Sequence, residues 1–523
     1  MTISILDCTL RDGGYINNWD FPVSQTLKII NSLNSSNIDI VELGYLSDRK
    51  GKANNSTLFD SVETIDSLVK EIDQNFNKVV MINLFDFDVS TLPQKSETQL
   101  DGIRLAFHKK DLRDAFEHAK IIIELGYELF FQPMVTKNYS DDDFIALINE
   151  VNRLNIHAFY IVDSFGSMFL KDFRNYMQLA NKYLRDDISL GFHSHNNMQL
   201  AFSNAIDLYC AAFNRKLIID SSVYGMGRGA GNLNTELIIS YLNMQGIQKY
   251  KVLPLLELID EVLAYYFKRN PWGFSPAQYL SASLGCHPDY ASYLVNKKTT
   301  HMADIKEILG QVPISKKVSF DKQIVDDLYR QFLLKHNSTI KGCFDIPKNK
   351  QVLLIASGHS VVENMEAIKQ KAESEDYFVI ALNYKPQFDC DYYFFSNQQR
   401  FDEFKEQLPI ERIVITSNIK CNNKTDFVVD LGTIAYIGDA FVTNVAILMI
   451  NYLILQGVQK VVLAGLDGYQ TGRDNYAYDE TKIPDNLDLF IELNHVVESS
   501  LMELKLLIDI KLITPSFYAD FLH

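Results

Sequence analysis

Cysteine is scarce and scattered. Cys8, Cys210, Cys286, Cys343, Cys390 and Cys421 include no CxxC pair, so neither a disulfide framework nor a structural zinc site is indicated. No apolar run reaches the roughly 18 residues that a membrane-spanning helix needs. The first residues lack the basic flank, apolar stretch and cleavage site of a secretory signal, so a cytoplasmic protein is expected. Basic residues are outnumbered, 50 Lys and Arg against 66 Asp and Glu, for a net charge of −16. That argues against a broad nucleic-acid footprint but leaves room for a local basic pocket that binds a phosphate or carboxylate. A complete GxGxxG is missing too, which disfavours a dinucleotide redox role. What is present is ordinary globular material, 47% apolar and 22% charged over 523 residues. A chain of that length is too long for one core and implies two or three domains.

Eight short β-branched runs cross the first 225 residues: ISILDCTL (3–10), IDIVELGY (38–45), KVVMINL (78–84), GIRLAFH (102–108), YELFFQPMV (127–135), HAFYIVDS (157–164), ISLGFHSH (188–195) and KLIIDSSVYG (216–225). Most gaps hold helical periodicity, as in VSQTLKIINSLN, DLRDAFEHAKIIIELG and DDDFIALINEVNRL. Strand and helix in alternation imply a parallel sheet, and eight such units predict a (β/α)8 TIM barrel over 1–250. An open doubly wound sheet is the alternative. Asp7, Glu42, His108, Asp163, His193, His195 and Tyr224 lie at or near the C-terminal ends of their runs. A barrel gathers those ends into one mouth, whereas an open sheet spreads them out.

HSH at 193–195 places two imidazoles on one face of a strand, a pair suited to a divalent metal. Asp7 is the anionic side chain expected to complete the set. A hydrogen-bonded histidine pair without metal is the alternative. Arg104 and His108 are separated by an even number of positions and so face inward together. The alternating Gly225, Gly227, Gly229 and Gly231 form either an anion-binding loop or a tight turn.

Taken together, "LDCTLRDGGY", "GFHSHNNMQLAFSNA" and "YGMGRGAGNLNTE" resemble the superfamily of metal-dependent pyruvate aldolases, 3-hydroxy-3-methylglutaryl-CoA lyase and isopropylmalate synthase. The resemblance covers roughly 1–245. It implies that Asp7, His193 and His195 hold Mn2+ or Mg2+ and that Arg11 stabilises an enolate oxygen. It places Asn232 where some lyases supply a further metal ligand. Asp12, Glu42, Ser164 and Asn232 are the candidate substrate contacts. Related aldolases carry a histidine at the position of Tyr15. Tyrosine, with an ordinary pKa near 10, is a poor base, so Tyr15, His108 and Glu42 are all candidates to take the hydroxyl proton. Met226 stands where the CoA-ester lyases have a cysteine. The segment "PWGFSPAQYLSASLGCHPDYASYLVNKKT" resembles aldolase-like proteins of surface-glycan gene clusters.

Residues 251–335 read as a helical extension packed on the barrel, and 336–350 as a linker. A second strand–helix alternation runs from QVLLIASG (351–358) to IKLITPS (510–516) and predicts a Rossmann-like α/β domain over 351–523. Its segment "TNVAILMINYLILQGVQKVVLAGLDGYQTGRDNYAYDE" resembles the bacterial sialyltransferase fold. That implies a nucleotide site at Ser357, Gly358, Asn383, Thr443, Asn444, Gly465 and Asp467, with His495 as a general base and a CMP-sugar or other nucleotide as ligand.

The combined expectation is a metal-dependent aldolase joining or cleaving a pyruvate-type enolate and an aldehyde, fused to a nucleotide-sugar transferase-like domain in surface-glycan biosynthesis. Barrels of this superfamily are often dimers, so the resemblance makes a homodimer one expectation. Claisen condensation with an acyl-CoA is one alternative, and a transferase carrying a non-catalytic barrel is another.

Overall fold

The computed structural model describes residues 2–48, 56–70, 72, 76–335, 345–421, 425, 427–438, 440–471, 474–477 and 487–522. The chain divides into two compact units, one of residues 1–292 with 313–320 and one of 293–312 with 321–523. The helical stretch expected at 251–335 is therefore shared between them. Of the expected linker, 336–344 lie outside the described residues. Among the described residues no helix is long and apolar enough to cross a membrane.

In the first unit eight parallel strands follow one another around a closed sheet: β1 (Thr2–Asp7), β2 (Ile40–Leu46), β3 (Asn77–Asn83), β4 (Gly102–Phe107), β5 (Glu128–Pro133), β6 (Ala158–Asp163), β7 (Ser189–Ser194) and β8 (Lys216–Ser221). Pairing of β1 with both β8 and β2 closes the barrel. A two-residue strand, Leu58–Phe59, adds to β2 outside it. Each strand coincides with one of the eight apolar runs.

Two packed clusters show which way each strand residue points. Leu6, Ile40, Val79, Phe130, Ala158, Tyr160, Val162 and Ile218 belong to a cluster drawn from strands and strand ends alone, the barrel interior. Ile3, Ile5, Val41, Ile103, Phe131 and Ile219 pack with helix residues such as Ile29, Leu147 and Ile238, the layer between barrel and helices. Because successive strand residues alternate, Glu42, Arg104, His193 and Asp220 share the interior phase, while Asp7 shares the outer phase of Ile3 and Ile5. The helices form for local reasons. In Asp141–Val151 the Ser140 hydroxyl accepts from the Asp143 amide at 3.2 Å, and three aspartates sit at the positive end of the dipole. Phe144, Leu147, Ile148 and Val151 then form the buried stripe.

Among its described residues the second unit has a sheet of seven parallel strands: β9 (Gln351–Ile355), β10 (Tyr377–Leu382), β11 (Tyr392–Phe395), β12 (Ile413–Thr416), β13 (Phe427–Val429), β14 (Lys460–Ala464) and β15 (Asp509–Leu512). Their spatial order is β13-β12-β11-β10-β9-β14-β15, so the direction of winding reverses between β9 and β14. The sequence reading missed β13, which at three residues is too short to show a period. The helix Val445–Leu455 begins where the Asn444 side chain accepts from the Ala446 and Ile447 amides at 3.0 and 3.3 Å and caps it.

Candidate metal centre

After β1 the chain turns at once into a single helical turn, Thr9–Asp12, which carries Arg11 and Asp12 over the barrel mouth. The turn is held at several points. The Thr57 hydroxyl donates to the Leu10 carbonyl at 2.8 Å, and the Trp19 indole N–H donates to the Arg11 carbonyl at 2.6 Å. A Cβ on Gly14 would overlap that indole, so any larger residue has to displace the ring.

Asp12, His193 and His195, all buried, form the one group of three or more His, Cys, Asp or Glu side chains able to hold a metal among the described residues. Their candidate ligand atoms lie within 4.8 Å of one another. Both histidine Nε2 atoms are 3.8 Å from Asp12 Oδ2. Neither Asp12 oxygen has a hydrogen-bond partner, although Arg11 Nη1 is 3.2 Å from Oδ1. Burial pushes the Asp12 carboxyl up, but Arg11, His195, His193 and Arg228 more than reverse this and hold it below the usual carboxylate range. Burial pushes His195 down to about 3, which leaves it a neutral donor. A buried anionic carboxylate with unclaimed lone pairs beside two imidazoles fits a divalent cation. Asn232 adds to the fit: its backbone bridges to His195, and its buried Oδ1 has no partner.

Asp12, then, takes the place expected for Asp7. The reason is strand phase. Asp7 points outward, where its Oδ2 accepts from the Thr235 hydroxyl at 2.6 Å and its Oδ1 from the Thr9 amide at 2.9 Å. Burial raises its carboxyl to about 6. Arg11 and Asp12, expected as enolate clamp and substrate contact, stand side by side.

Beneath this centre runs a buried chain of charges. Arg11 Nε donates to Glu42 Oε2 at 2.8 Å, and Arg104 Nη1 lies 2.7 Å from the same oxygen. Arg104 Nη2 also pairs with Asp220, whose Oδ2 is 3.0 Å from His193 Nδ1. Glu42 thus bridges two guanidiniums instead of facing the mouth as a base. Asp220, which the sequence reading did not single out, orients a proposed metal ligand. Its signal was a lone aspartate inside the apolar run KLIID, in phase with buried Ile218.

The other expected residues occupy varied positions. Tyr15 is 37% exposed at the rim, with its hydroxyl 3.3 Å from that of Tyr45. His108 follows β4 half-buried, and burial lowers its imidazole. The Ser164 hydroxyl accepts from the Val135 amide at 2.9 Å and so ties two mouth loops together. The glycine loop is a braced turn: the Asn196 amide donates to the Gly231 carbonyl at 2.8 Å, and Asn232 to Gly225 at 3.0 Å.

In the second unit Ser357, Gly358, Gly465 and Asp467 meet where winding reverses, at the carboxyl ends of β9 and β14. The Gly358 amide donates to the Gly465 carbonyl at 2.9 Å, and Asp467 accepts from the Ser360 amide at 2.7 Å. Asn383 follows the adjacent β10, and its Oδ1 accepts from the Ser396 amide at 2.9 Å. Thr443 is half-buried just before the capping Asn444. His495 lies on the exposed side of the helix Leu487–Leu504, whereas its neighbour Asn494 turns inward to Tyr469 and Tyr518.

Residues 2–261 match the HMGL-like family model, and the N-terminal part of the chain is an HMGL-like domain. At the level of individual proteins, it is 25% identical over 335 residues to the 4-hydroxy-2-oxovalerate aldolase of Carboxydothermus hydrogenoformans, covering 62% of this chain and 96% of that protein. It is 23% identical over 285 residues to the oxaloacetate decarboxylase of Mycobacterium tuberculosis, covering 54% and 82%. A crystallised N-terminal domain of a candidate aldolase from Bacteroides vulgatus is 27% identical, with a TM-score of 0.50 over 56% of this chain and 96% of that one.

Proposed function

We propose that the first unit is a divalent-metal-dependent lyase that makes or breaks a carbon–carbon bond beside a 2-oxo acid through a pyruvate-type enolate, with aldol chemistry toward an aldehyde as its reaction. The observation that carries this reading is the buried Asp12 carboxylate, neither of whose oxygens has a hydrogen-bond partner, beside His193, His195 and Arg11. A bound Mn2+ or Mg2+ would supply Lewis acidity toward the carboxylate and keto oxygens of the 2-oxo acid. Arg11 brings a fixed guanidinium to the negative charge that develops on the enolate oxygen. Glu42 holds that guanidinium in place through Nε. Asp220 occupies the Nδ1 side of His193, so that Nε2 faces Asp12. Tyr15, at the rim with Tyr45, positions the substrate's hydroxyl side. Aldol cleavage of a 4-hydroxy-2-oxo acid and decarboxylation of oxaloacetate both leave a pyruvate enolate, and the two relatives named for those substrates support this shared step.

The test is exchange of pyruvate methyl protons into D2O. Metal-loaded protein exchanges them, while EDTA treatment or Asp12→Asn abolishes the exchange. Its absence from the metal-replete wild type overturns the enolate reading.

For the second unit the reading is a nucleotide site of the sialyltransferase type, with a CMP-sugar as donor in surface-glycan chemistry. Its support is the position of Ser357, Gly358 and Asp467 at the winding reversal, where open α/β sheets bind ligands, together with the motif resemblance.

A further inference from the structure

The mouth of the barrel holds a cation that the enolate chemistry does not use. Arg228 stands in the glycine loop between Gly227 and Gly229, and the Ala230 amide of that loop is held by Asn197 Oδ1 at 2.9 Å. The guanidinium is positioned by neutral groups. Its Cζ is 4.9 Å from the centroid of the Tyr15 ring, and its Nη1 is 3.4 Å from His287 Nε2. Burial, then Arg228 itself, pushes His287 down to about 4, so that it faces the guanidinium uncharged. Burial pushes the Arg228 guanidinium down, but Tyr15, Asp289 and Asp12 more than reverse this, and its Nε is buried with no hydrogen-bond partner. Arg228 is nonetheless close enough for its charge to weigh on both Asp12 and His195. A partly buried guanidinium whose Nε has no hydrogen-bond partner keeps a donor unsatisfied until an anion arrives.

We infer that Arg228, with Tyr15 and His287, forms a subsite for an anionic group, a carboxylate or a phosphoryl group, at the end of the substrate remote from the 2-oxo acid head. This inference rests on the enolate reading, in which the head is held at Asp12, His193, His195 and Arg11. It gives the Tyr15 position a role that needs no proton transfer: the ring face holds the guanidinium and the rim hydroxyl stays beside Tyr45. It also makes the helical stretch after the barrel part of the site, because His287 comes from there. Arg228 is a specificity-determining residue under this inference, and the preferred substrates are anionic at both ends.

Both tryptophans of the chain lie at this mouth. The Trp19 ring is 4.7 Å from that of Tyr15, and the Trp272 indole donates to the Tyr224 carbonyl at 2.8 Å. Intrinsic fluorescence of the full chain with Mg2+ therefore reads ligand binding without any turnover. The probes are 2-oxoglutarate, its phosphonate counterpart 2-oxo-4-phosphonobutanoate, and 2-oxopentanoate, which shares the head and length but has a neutral end. One of the two anionic probes is expected to bind about ten-fold more tightly than 2-oxopentanoate, the scale of one charge-assisted hydrogen bond; whichever binds better identifies the anion. Arg228→Gln brings the ratio close to one, and Arg228→Lys retains part of it. Equal affinities in the wild type, or a preference that survives Arg228→Gln, overturn the subsite. The wild-type comparison stands even where a variant does not fold. Pyruvate separates the two readings: if it neither binds nor exchanges its protons, the enolate reading fails, whereas equal probe affinities alongside intact exchange remove only the subsite.

Discussion

Nδ1 of His193 lies 3.0 Å from Oδ2 of Asp220, and this contact leaves Nε2 of the same ring facing Asp12. A carboxylate behind a metal-binding imidazole fixes the tautomer and raises ligand basicity. Asp220→Asn is therefore expected to weaken Mn2+ affinity by about 10–100-fold, read by calorimetric titration. Asp12→Asn should lower it further and Asp7→Asn should leave it nearly unchanged. If Asp7→Asn proves the more damaging of the two, the assignment of Asp12 is wrong.

Arg104 is wholly buried between Glu42 and Asp220. Replacing it with methionine leaves Glu42 with Arg11 alone and Asp220 with His193 alone, and breaking the two buried ion pairs of Arg104 costs about 3–5 kcal/mol. Urea unfolding of the Arg104→Met protein should show that loss. Adding Glu42→Gln and Asp220→Asn should restore much of it. Lysine at 104 is expected to rescue poorly, because a single ammonium cannot reproduce the two-sided fork.

Asp7 supplies a pH signature. Burial raises its folded-state pKa to about 6 from an ordinary 3.8, so between those values the folded protein binds the proton more readily than the unfolded chain. Stability contributed by Asp7 is thus present at low pH and falls as pH rises through about 6. Asp7→Asn keeps a side chain able to bond Thr235 but removes the titration. Relative to wild type, the variant should gain up to about 3 kcal/mol in stability on going from pH 4 to pH 7. Parallel stability curves for the two proteins over that range would rule this out.

Gly14 faces the Trp19 indole, whose N–H holds the Arg11 carbonyl. Gly14→Ala must push the ring aside, at a cost of about 1–3 kcal/mol. It should shift the tryptophan emission and, by loosening the Thr9–Asp12 turn, weaken metal binding. An unchanged emission spectrum with unchanged metal affinity would count against this bracing.

Gly358 packs against the Gly465 carbonyl and Asp467. If the second unit binds nucleotides at this crossing, CMP at 100 times its dissociation constant should stabilise that unit by about 2.7 kcal/mol, visible as a raised melting temperature. Gly358→Ala should remove the shift. A melting temperature indifferent to CMP and to other nucleotides would end the nucleotide reading.

Much of the barrel was legible because period-two alternation and helix spacing are local properties. All eight strands fell on β-branched runs, and HSH placed His193 and His195 on one inward face without any knowledge of their neighbours. The phase that turns Asp7 outward was legible as well, since it shares alternation with Ile3 and Ile5. Position at a strand end suggested a ligand where phase argued against one. The rest was decided by tertiary structure. Asp12 reaches the histidines only because the chain folds into a helical turn directly after β1, held by Thr57 and Trp19 from outside that segment. Arg104 meets Asp220 across 116 positions through barrel closure, and Arg228 meets His287 across 59. Spacing along the chain carries no record of such encounters. Local sequence determined which side chains face the barrel interior, and closure of the barrel determined which of them share a charge, a proton or a metal.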